Sequence, residues 1–502
     1  MHQNPQHDQA RAASGAAETV GADFEVLITA GEAWPAFERA VLAARREISA
    51  SFRLFNFTTE LLSPEARAVG STWADLVADA LRRGVRVRLV VSDFDAVMAA
   101  PLHAAAQKTL AQAAALTAEL SADEAARLSV SASLHPARAG MLTRLVFSPF
   151  VLGKLRRLPH RLRPRGVTYG PPNLHPVSHH QKVAVIDREV LYMGGLDLNR
   201  RRYDTPEHDL PAHETWADVQ LLVRGPEAEE AARHLDQFLD EIAGKRRAET
   251  GGAVRRTLSA PRITPWALSP RTLLKEIETD HLAAFERAEK LIYLETQFLR
   301  SSKIARGLAR AARRNPDLSL ILVLPALPED VAFEDNRELD ARYGMALQAD
   351  ALNKVTRAFG ARACIASPVQ PRMAARETPA VLAGSPVIYL HSKVLIIDGS
   401  FGVVGSANLN GRSMRWDTES ALRLTQPERV ALLWQRLAWH WWREDLPPEA
   451  HHPASASAWW QKEVRRNGVR LPEARRGLLV PHDPEQMADL RQPLPGAPED
   501  IV

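Results

Sequence analysis

Two stretches of the chain carry the same succession of hydrophobic rhythms. In the first, EISASFRLFNF (47–57) is dense in branched and aromatic residues and predicts a buried strand. STWADLVADALRRG (71–84) then places Trp73, Leu76, Val77, Ala80 and Leu81 on one face at helical spacing, with Ser71 as N-cap and Gly84 as stop. VRVRLVVSD (85–93) returns to strand. In the second, KLIYLETQFL (290–299) is strand-like, KIARGLARAARRN (303–315) is helix-like and LSLILVLPA (318–326) is strand-like again. Strand, helix, strand at this spacing predicts a parallel α/β unit, here written twice.

Each unit is followed, after an insertion, by a copy of one sentence: SHHQKVAVIDREVLYMGGLDLNRR and YLHSKVLIIDGSFGVVGSANLNGRS. His180 to His391, Asp187 to Asp398 and Gly194 to Gly405 are all separated by 211 positions. Further on, Asp218 meets Glu419 and Pro226 meets Pro427 at 201, so the first copy holds about ten extra residues near RRYDTPEHDLPAHETW. A period this long is a duplicated α/β half, not a solenoid repeat. It predicts a pseudo-twofold body whose related strands meet near the axis.

Alternation along a strand puts His180 and Lys182 on one face, and His391 and Lys393 likewise. Two such faces brought together hold two imidazoles, two ammonium groups and the amide of Asn408, with Asp197 at the matching place in the first copy. One imidazole can attack phosphorus while the other protonates the leaving alcohol and then deprotonates an acceptor. Lys182 and Lys393 would neutralise phosphoryl oxygens, so neither a metal nor a cofactor is expected. An attacking imidazole needs a carboxylate behind its ring. Asp218 and Glu419, 38 and 28 residues beyond their own histidines, are the candidates. Asp187 and Asp398 lie an odd step from the lysines and read as residues that fix the turn, although they complete the candidate catalytic set. Gly195 and Ser406 in the glycine turns let backbone approach a substrate and join Asn408 and Asp197 as candidate binding residues. His175 and His179 beside His180 suggest a metal cluster, but nothing in the other half repeats it.

Composition adds little. The 502 residues are 45% apolar and 25% charged with a net charge of +4, ordinary for a globular protein of two or three domains. Cys364 is alone, which excludes an internal disulfide. No leader-like start and no long apolar run is seen. A cytoplasmic protein held peripherally at membranes is expected, and leader-independent export is compatible with that. Local clustering says more. Residues 138–165 carry eight Lys/Arg, no Asp or Glu, and many large apolar side chains. That mixture suits a lipid headgroup layer; a helix packed on its own domain and a nucleic-acid groove are the alternatives. The expected division is a flexible N-terminus (1–22), a first half (23–250), a second half (251–445) and a tail (446–502). The tryptophans from Trp434 to Trp460 predict core packing, with an aromatic cage for a quaternary ammonium as the other reading.

Both copies resemble the phospholipase D superfamily, whose signature is HxKx4D followed by a glycine turn. YLETQF and WADVQLLVRGP are similar to segments of its two-motif members, and the likeness spans roughly 24–445. The resemblance implies two duplicated α/β/α sandwich halves with the active site at their interface. It also implies a phosphohistidine intermediate, with His180 as nucleophile and His391 as general acid and base. Two departures stand out: Asp197 where an asparagine is common, and Asp417 in WDTE, also in place of an asparagine. The implied activity is hydrolysis of glycerophospholipids to phosphatidic acid by a monomer at a membrane surface, with water or an alcohol as acceptor. A cardiolipin synthase-type phosphatidyltransferase, a nuclease and a non-catalytic lipid binder are the other readings; nucleic acid is not the expected partner.

Overall fold

The computed structural model describes residues 23–163, 173–486, 488–495 and 497–501. The N-terminal 22 residues, expected to be flexible, and the last two of the basic-apolar insertion lie outside this set.

The duplication is visible in the sheets. The first has β1 (Phe24–Ile28), β2 (Glu47–Phe52), β3 (Arg86–Asp93), β4 (Leu128–Leu134), β5 (Val183–Ile186), β6 (Val190–Gly194) and β7 (Val219–Arg224) in the order β1-β7-β6-β5-β2-β3-β4. The second contains β8 (Val254–Ala260), β9 (Arg271–Lys275), β10 (Leu291–Thr296), β11 (Ser319–Val323) and β12 (Ala363–Pro368). A two-residue hairpin, β13 (Val381–Leu382) with β14 (Ser385–Pro386), precedes β15 (Lys393–Ile397), β16 (Phe401–Gly405), β17 (Glu419–Leu424) and β18 (Leu479–Pro481). Its order is β18-β12-β11-β10-β15-β16-β17-β8-β9, the first sheet's order with one strand added at each edge. The predicted parallel units are β2 beside β3 and β10 beside β11.

Alternation along the strands divides the core. Val183 and Val185 of β5, and Val394 and Ile396 of β15, point into a single cluster shared by both halves. Ala184 and Ile186 face the first half's outer helices, and Leu395 and Ile397 face the second's. Strands covered on both faces read as unbroken apolar runs, as VAVI and VLII do. The shared cluster also takes the helices after β7 and β17, Pro226–Ile242 and Pro427–Trp442. The two halves are thereby one body.

Two expectations are corrected, and the choice left open for the tryptophans falls to core packing. The helix predicted at 71–84 runs Trp73–Arg82 with Thr72, not Ser71, at its N-cap, because the Asp75 carboxylate accepts from the Thr72 N–H. Residues 446–502 are not a tail. The helix Ala456–Val469 packs on the second half, β18 pairs with β12, and Glu499 and Asp500 bind Arg415. Trp434, Trp441, Trp442 and Trp460 are buried, and Trp434 stacks on Trp460 at 5.5 Å, so the cage reading is set aside. Among the described residues, no helix is long and apolar enough to cross a membrane.

Candidate active site

The two motifs meet through backbone. The segment before each motif runs parallel to the segment before the other half's carboxylate. Ala217 N–H donates to Tyr389 O at 2.8 Å and His391 N–H to Ala217 O at 2.7 Å. Related to these by the pseudo-twofold, Thr418 N–H donates to Ser178 O at 3.0 Å and His180 N–H to Thr418 O at 2.8 Å. Residues one step on therefore lie side by side across the axis.

This crosses the dyads. His391 Nδ1 is 2.6 Å from Asp218 Oδ2, and His180 Nδ1 is 2.9 Å from Glu419 Oε1. Each histidine is backed by the carboxylate of the other half, not by its own as the sequence spacing suggested. Gly195 and Ser406 attend to those carboxylates rather than to a substrate. A Cβ on Gly195 would stand 2.2 Å from Asp218 Oδ1, so only glycine leaves room. Ser406 Oγ donates to Glu419.

Both imidazoles line one cleft of about 370 Å³ between the halves. Burial, then the neighbouring Lys182, lowers His180 well below its ordinary value; burial and Lys393 do the same to His391. Both rings are neutral in the free cleft at neutral pH. Burial pushes Asp218 up to about 6 and Glu419 up to about 8. It also brings Lys393 down to about 7.

The lysines sit beneath the histidines. Lys182 Nζ donates to His180 O at 2.6 Å, and Lys393 Nζ donates to His391 O. The cations that line the cleft are arginines instead: Arg53, Arg202, Arg300 and Arg412. Sequence reasoning missed all four. Arg53 follows β2 directly and Arg300 lies four residues beyond β10; the pseudo-twofold sets Gln297 at the place of Arg53 and Asn56 at that of Arg300, so the two arginines are not copies of each other. Arg53 Nε is buried without a partner among the described residues, a donor suited to an anion. Arg202 opens the stretch in which the first copy's extra residues fall, and both it and Trp216 at the stretch's end line the cleft. Its guanidinium stacks on Trp216 at 3.7 Å, and Trp216 lies against His391 at 4.5 Å between ring centres. The signal available was the arginine run after LDLN, mirrored by Arg412 after ANLN.

Of the four candidate binding residues, Asn408 alone lines the cleft. Asp197 is buried behind it, 3.9 Å from Lys182 Nζ, and its carboxylate accepts from Leu54 N–H. It is a counter-ion, which explains a carboxylate in place of an amide. Asp417 likewise accepts from Arg412 at 2.9 Å and from Ser178 N–H at 2.7 Å, tying one half's arginine to the other half's motif. Asp187 and Asp398 lie at the far ends of β5 and β15, outside the cleft. Against a burial cost that would raise it, three backbone donors (Arg45, Arg46 and Glu47 N–H) hold Asp187 below its ordinary value. Asp398 accepts from the N–H groups of Glu289, Lys290 and Leu291. They anchor turns and do not belong to the catalytic set. His179 is held by Thr418 Oγ1 at 2.9 Å and Ser133 Oγ at 3.2 Å.

Residues 282–441 match the family model of the PLD-like domain of cardiolipin synthase. The chain is 22% identical over 349 residues to phospholipase D1 of Schizosaccharomyces pombe, covering 49% of this chain and 24% of that protein. It is 23% identical over 380 residues to phospholipase D alpha 2 of Brassica oleracea var. capitata, covering 51% and 46%. The matches thus span less than half the length of those relatives. Phosphatidylserine synthase of Haemophilus influenzae Rd KW20 shares the fold at a TM-score of 0.52 and 12% identity, over 91% of this chain and 97% of that one. The family model and the phospholipase D relatives together support a likeness to the phospholipase D superfamily.

Proposed function

We propose that the chain is a phospholipase D that cleaves glycerophospholipids to phosphatidic acid and a free headgroup, with transfer to an alcohol as a second outcome. The observation that carries this reading is the pair of crossed imidazole–carboxylate dyads on one arginine-lined cleft. The four guanidiniums and Asn408 hold the phosphoryl oxygens. Nε2 of one histidine forms a bond to phosphorus as the bond to the headgroup oxygen breaks. The other histidine gives that oxygen a proton and then takes one from water, whose oxygen displaces the first histidine. An alcohol in place of water yields a new phosphodiester, the reaction of a phosphatidyltransferase, and the match to the cardiolipin synthase domain supports that capacity.

The cleft is also lined by Glu329, Asp330, Glu334 and Asp340, of which Glu329 pairs with Arg201 at 2.8 Å and Arg202 at 3.5 Å. A cleft that offers both guanidiniums and carboxylates suits a phosphate esterified to a cationic alcohol, such as choline or ethanolamine. The same carboxylates would repel a polyanion, which argues against nucleic acid.

The resemblance gives the attack to His180. One observation favours the reverse. At neutral pH Asp218 is ionised and accepts a hydrogen bond from His391 Nδ1–H, which leaves Nε2 bare. Glu419 keeps its own proton and offers it to His180 Nδ1, which leaves the ring's proton on Nε2. In that arrangement His391 attacks and His180 is the acid. Alkaline quenching of a single turnover, with peptide mapping, identifies the phosphorylated histidine.

The function is tested with phosphatidylcholine vesicles in EDTA and ethanol. Phosphatidic acid and phosphatidylethanol from wild type, and neither from His180→Ala, are expected. Equal product from both proteins overturns the reading.

A further inference from the structure

The helix Met141–Arg157 is badly placed for a soluble surface. Of its residues only Thr143 and Val151 are buried, while Val146 is 68% exposed, Phe150 60% and Met141 59%. Leu145, Phe147 and Leu152 are exposed as well. Apolar side chains surround its first three turns; the last turn carries Lys154, Arg156 and Arg157. Its foot is fastened to a part of the chain about 120 residues away, the turn between β8 and β9. Gly140 N–H donates to Ala267 O at 2.6 Å and Leu142 N–H to Pro265 O at 2.9 Å. A Cβ on Gly140 would lie 2.4 Å from Thr264 O, so the two elements touch backbone to backbone. That turn exposes Ile263 at 97% and Trp266 at 70%.

The two elements thus join into a single apolar projection drawn from both halves. An exposed patch of this kind marks an interaction site. Its charge selects the partner. Residues 136–163 and 261–270 contain no Asp or Glu, whereas Arg157, Arg161 and Arg262 add to the basic end. A protein groove that matched this surface would need acids to meet a cationic collar and a deep apolar slot beyond it. A bilayer with anionic lipids offers both in one layer, and a tryptophan beside a basic collar sits well at that boundary. The projection is also coupled to the cleft. Ala137, at its base, packs with Val177 and Trp416 and against Ile501, which lines the cleft. The β8–β9 strands hold the Arg412-bearing segment through Ser259 Oγ to Trp416 O and Thr272 Oγ1 to Arg415 O.

We propose that the helix 141–157 and the β8–β9 turn form a single membrane-docking surface that seats the cleft on an anionic phospholipid bilayer. This rests on the reading of the cleft as a lipid-cleaving site, but its test is separate. Full-length protein is floated with vesicles of phosphatidylcholine alone or mixed with phosphatidylglycerol. Wild type is expected to float with the mixed vesicles, less so in high salt. Phe150→Ser with Trp266→Ala should weaken flotation at least about tenfold, since each removes one exposed apolar anchor. Lys154→Glu with Arg157→Glu should abolish the preference for the anionic vesicles. Both pairs should cleave a short-chain phospholipid, dispersed as monomers, as fast as wild type. Unchanged flotation of both variants overturns the proposal. So does a wild type that ignores vesicles, and a self-associated wild type broken to monomers by Phe150→Ser would then assign the patch to a second copy of the chain. Flotation that responds to the variants in a protein that cleaves no phospholipid would uphold the surface and sink the proposed reaction.

Discussion

The two halves of the molecule share a strand order and differ where they touch. Behind one histidine stands an aspartate, and behind the other a glutamate. Gly195 gives Asp218 room; at the equivalent position Ser406 gives Glu419 a hydrogen bond. Asp197 is a buried counter-ion, whereas Asn408 reaches the cleft. Duplication places matched groups on each side of phosphorus, and these few substitutions divide the work between them. The crossing of the dyads also means that neither half holds a complete histidine site.

The harshest break of the comparison is removal of either ring. His180→Ala and His391→Ala should each cost at least about a thousandfold in kcat, because attack and proton transfer belong to one cycle. The double variant should be little worse than either single one. A single variant that keeps a tenth of the activity in steady-state assays would mean that one half suffices.

Exchanging the carboxylates is milder and sharpens the difference. Asp218→Asn and Glu419→Gln should each cost about a hundredfold, since each histidine keeps a neighbour but loses its proton partner. Their pH profiles should differ. Asp218, raised by burial to about 6, is an ionised acceptor for His391 Nδ1–H only above that pH, so wild-type kcat/KM falls on the acid side as Asp218 protonates. Glu419, raised by burial to about 8, gives up its proton above that pH, and an alkaline fall follows if His180 is the acid. Asp218→Asn should then flatten the acid limb and Glu419→Gln the alkaline one. An alkaline rise in the wild type would return the attack to His180.

The turn residues come next. Gly195→Ala should cost about tenfold or more, because its Cβ must displace the Asp218 carboxylate. Ser406→Ala removes a single hydrogen bond from Glu419, about 1 kcal/mol, and should lower kcat only a few-fold. Equal losses at the two positions would deny the asymmetry.

Much of this was legible beforehand. The apolar rhythms gave both parallel units, and the offset of 211 gave the pseudo-twofold. What escaped depends on contacts between segments distant in sequence. Spacing within each half suggested that Asp218 serves His180, but the Ala217–Leu390 bridge pairs it with His391. Arg53 sits inside an apolar run that reads as strand, but the strand ends at Phe52 and Leu54 N–H goes to the Asp197 carboxylate instead of a ladder partner. The basic insertion announced its composition but not its foothold on Pro265 and Ala267, since nothing in a sequence ties residue 140 to residue 265.

The smallest effect on catalysis is expected from the aspartates that complete the two motifs. Their spacing puts them in the signature beside His and Lys, yet both stand at the opposite ends of their strands. Each takes a left-handed conformation, with φ of 54° at Asp187 and 51° at Asp398, and collects three backbone N–H groups from the neighbouring strand's entry. Asp187→Ala leaves those donors without their acceptor, at about 1–3 kcal/mol, and the melting temperature should fall by several degrees. Asp398 is set in a more exposed turn, so Asp398→Ala should cost less than Asp187→Ala. In both variants kcat per folded molecule, measured well below the melting transition, should stay within about twofold of wild type. A large loss of kcat at unchanged stability would put the aspartate back among the groups that act on the phosphodiester, and would break the separation between the end of the strand that does chemistry and the end that holds it in place.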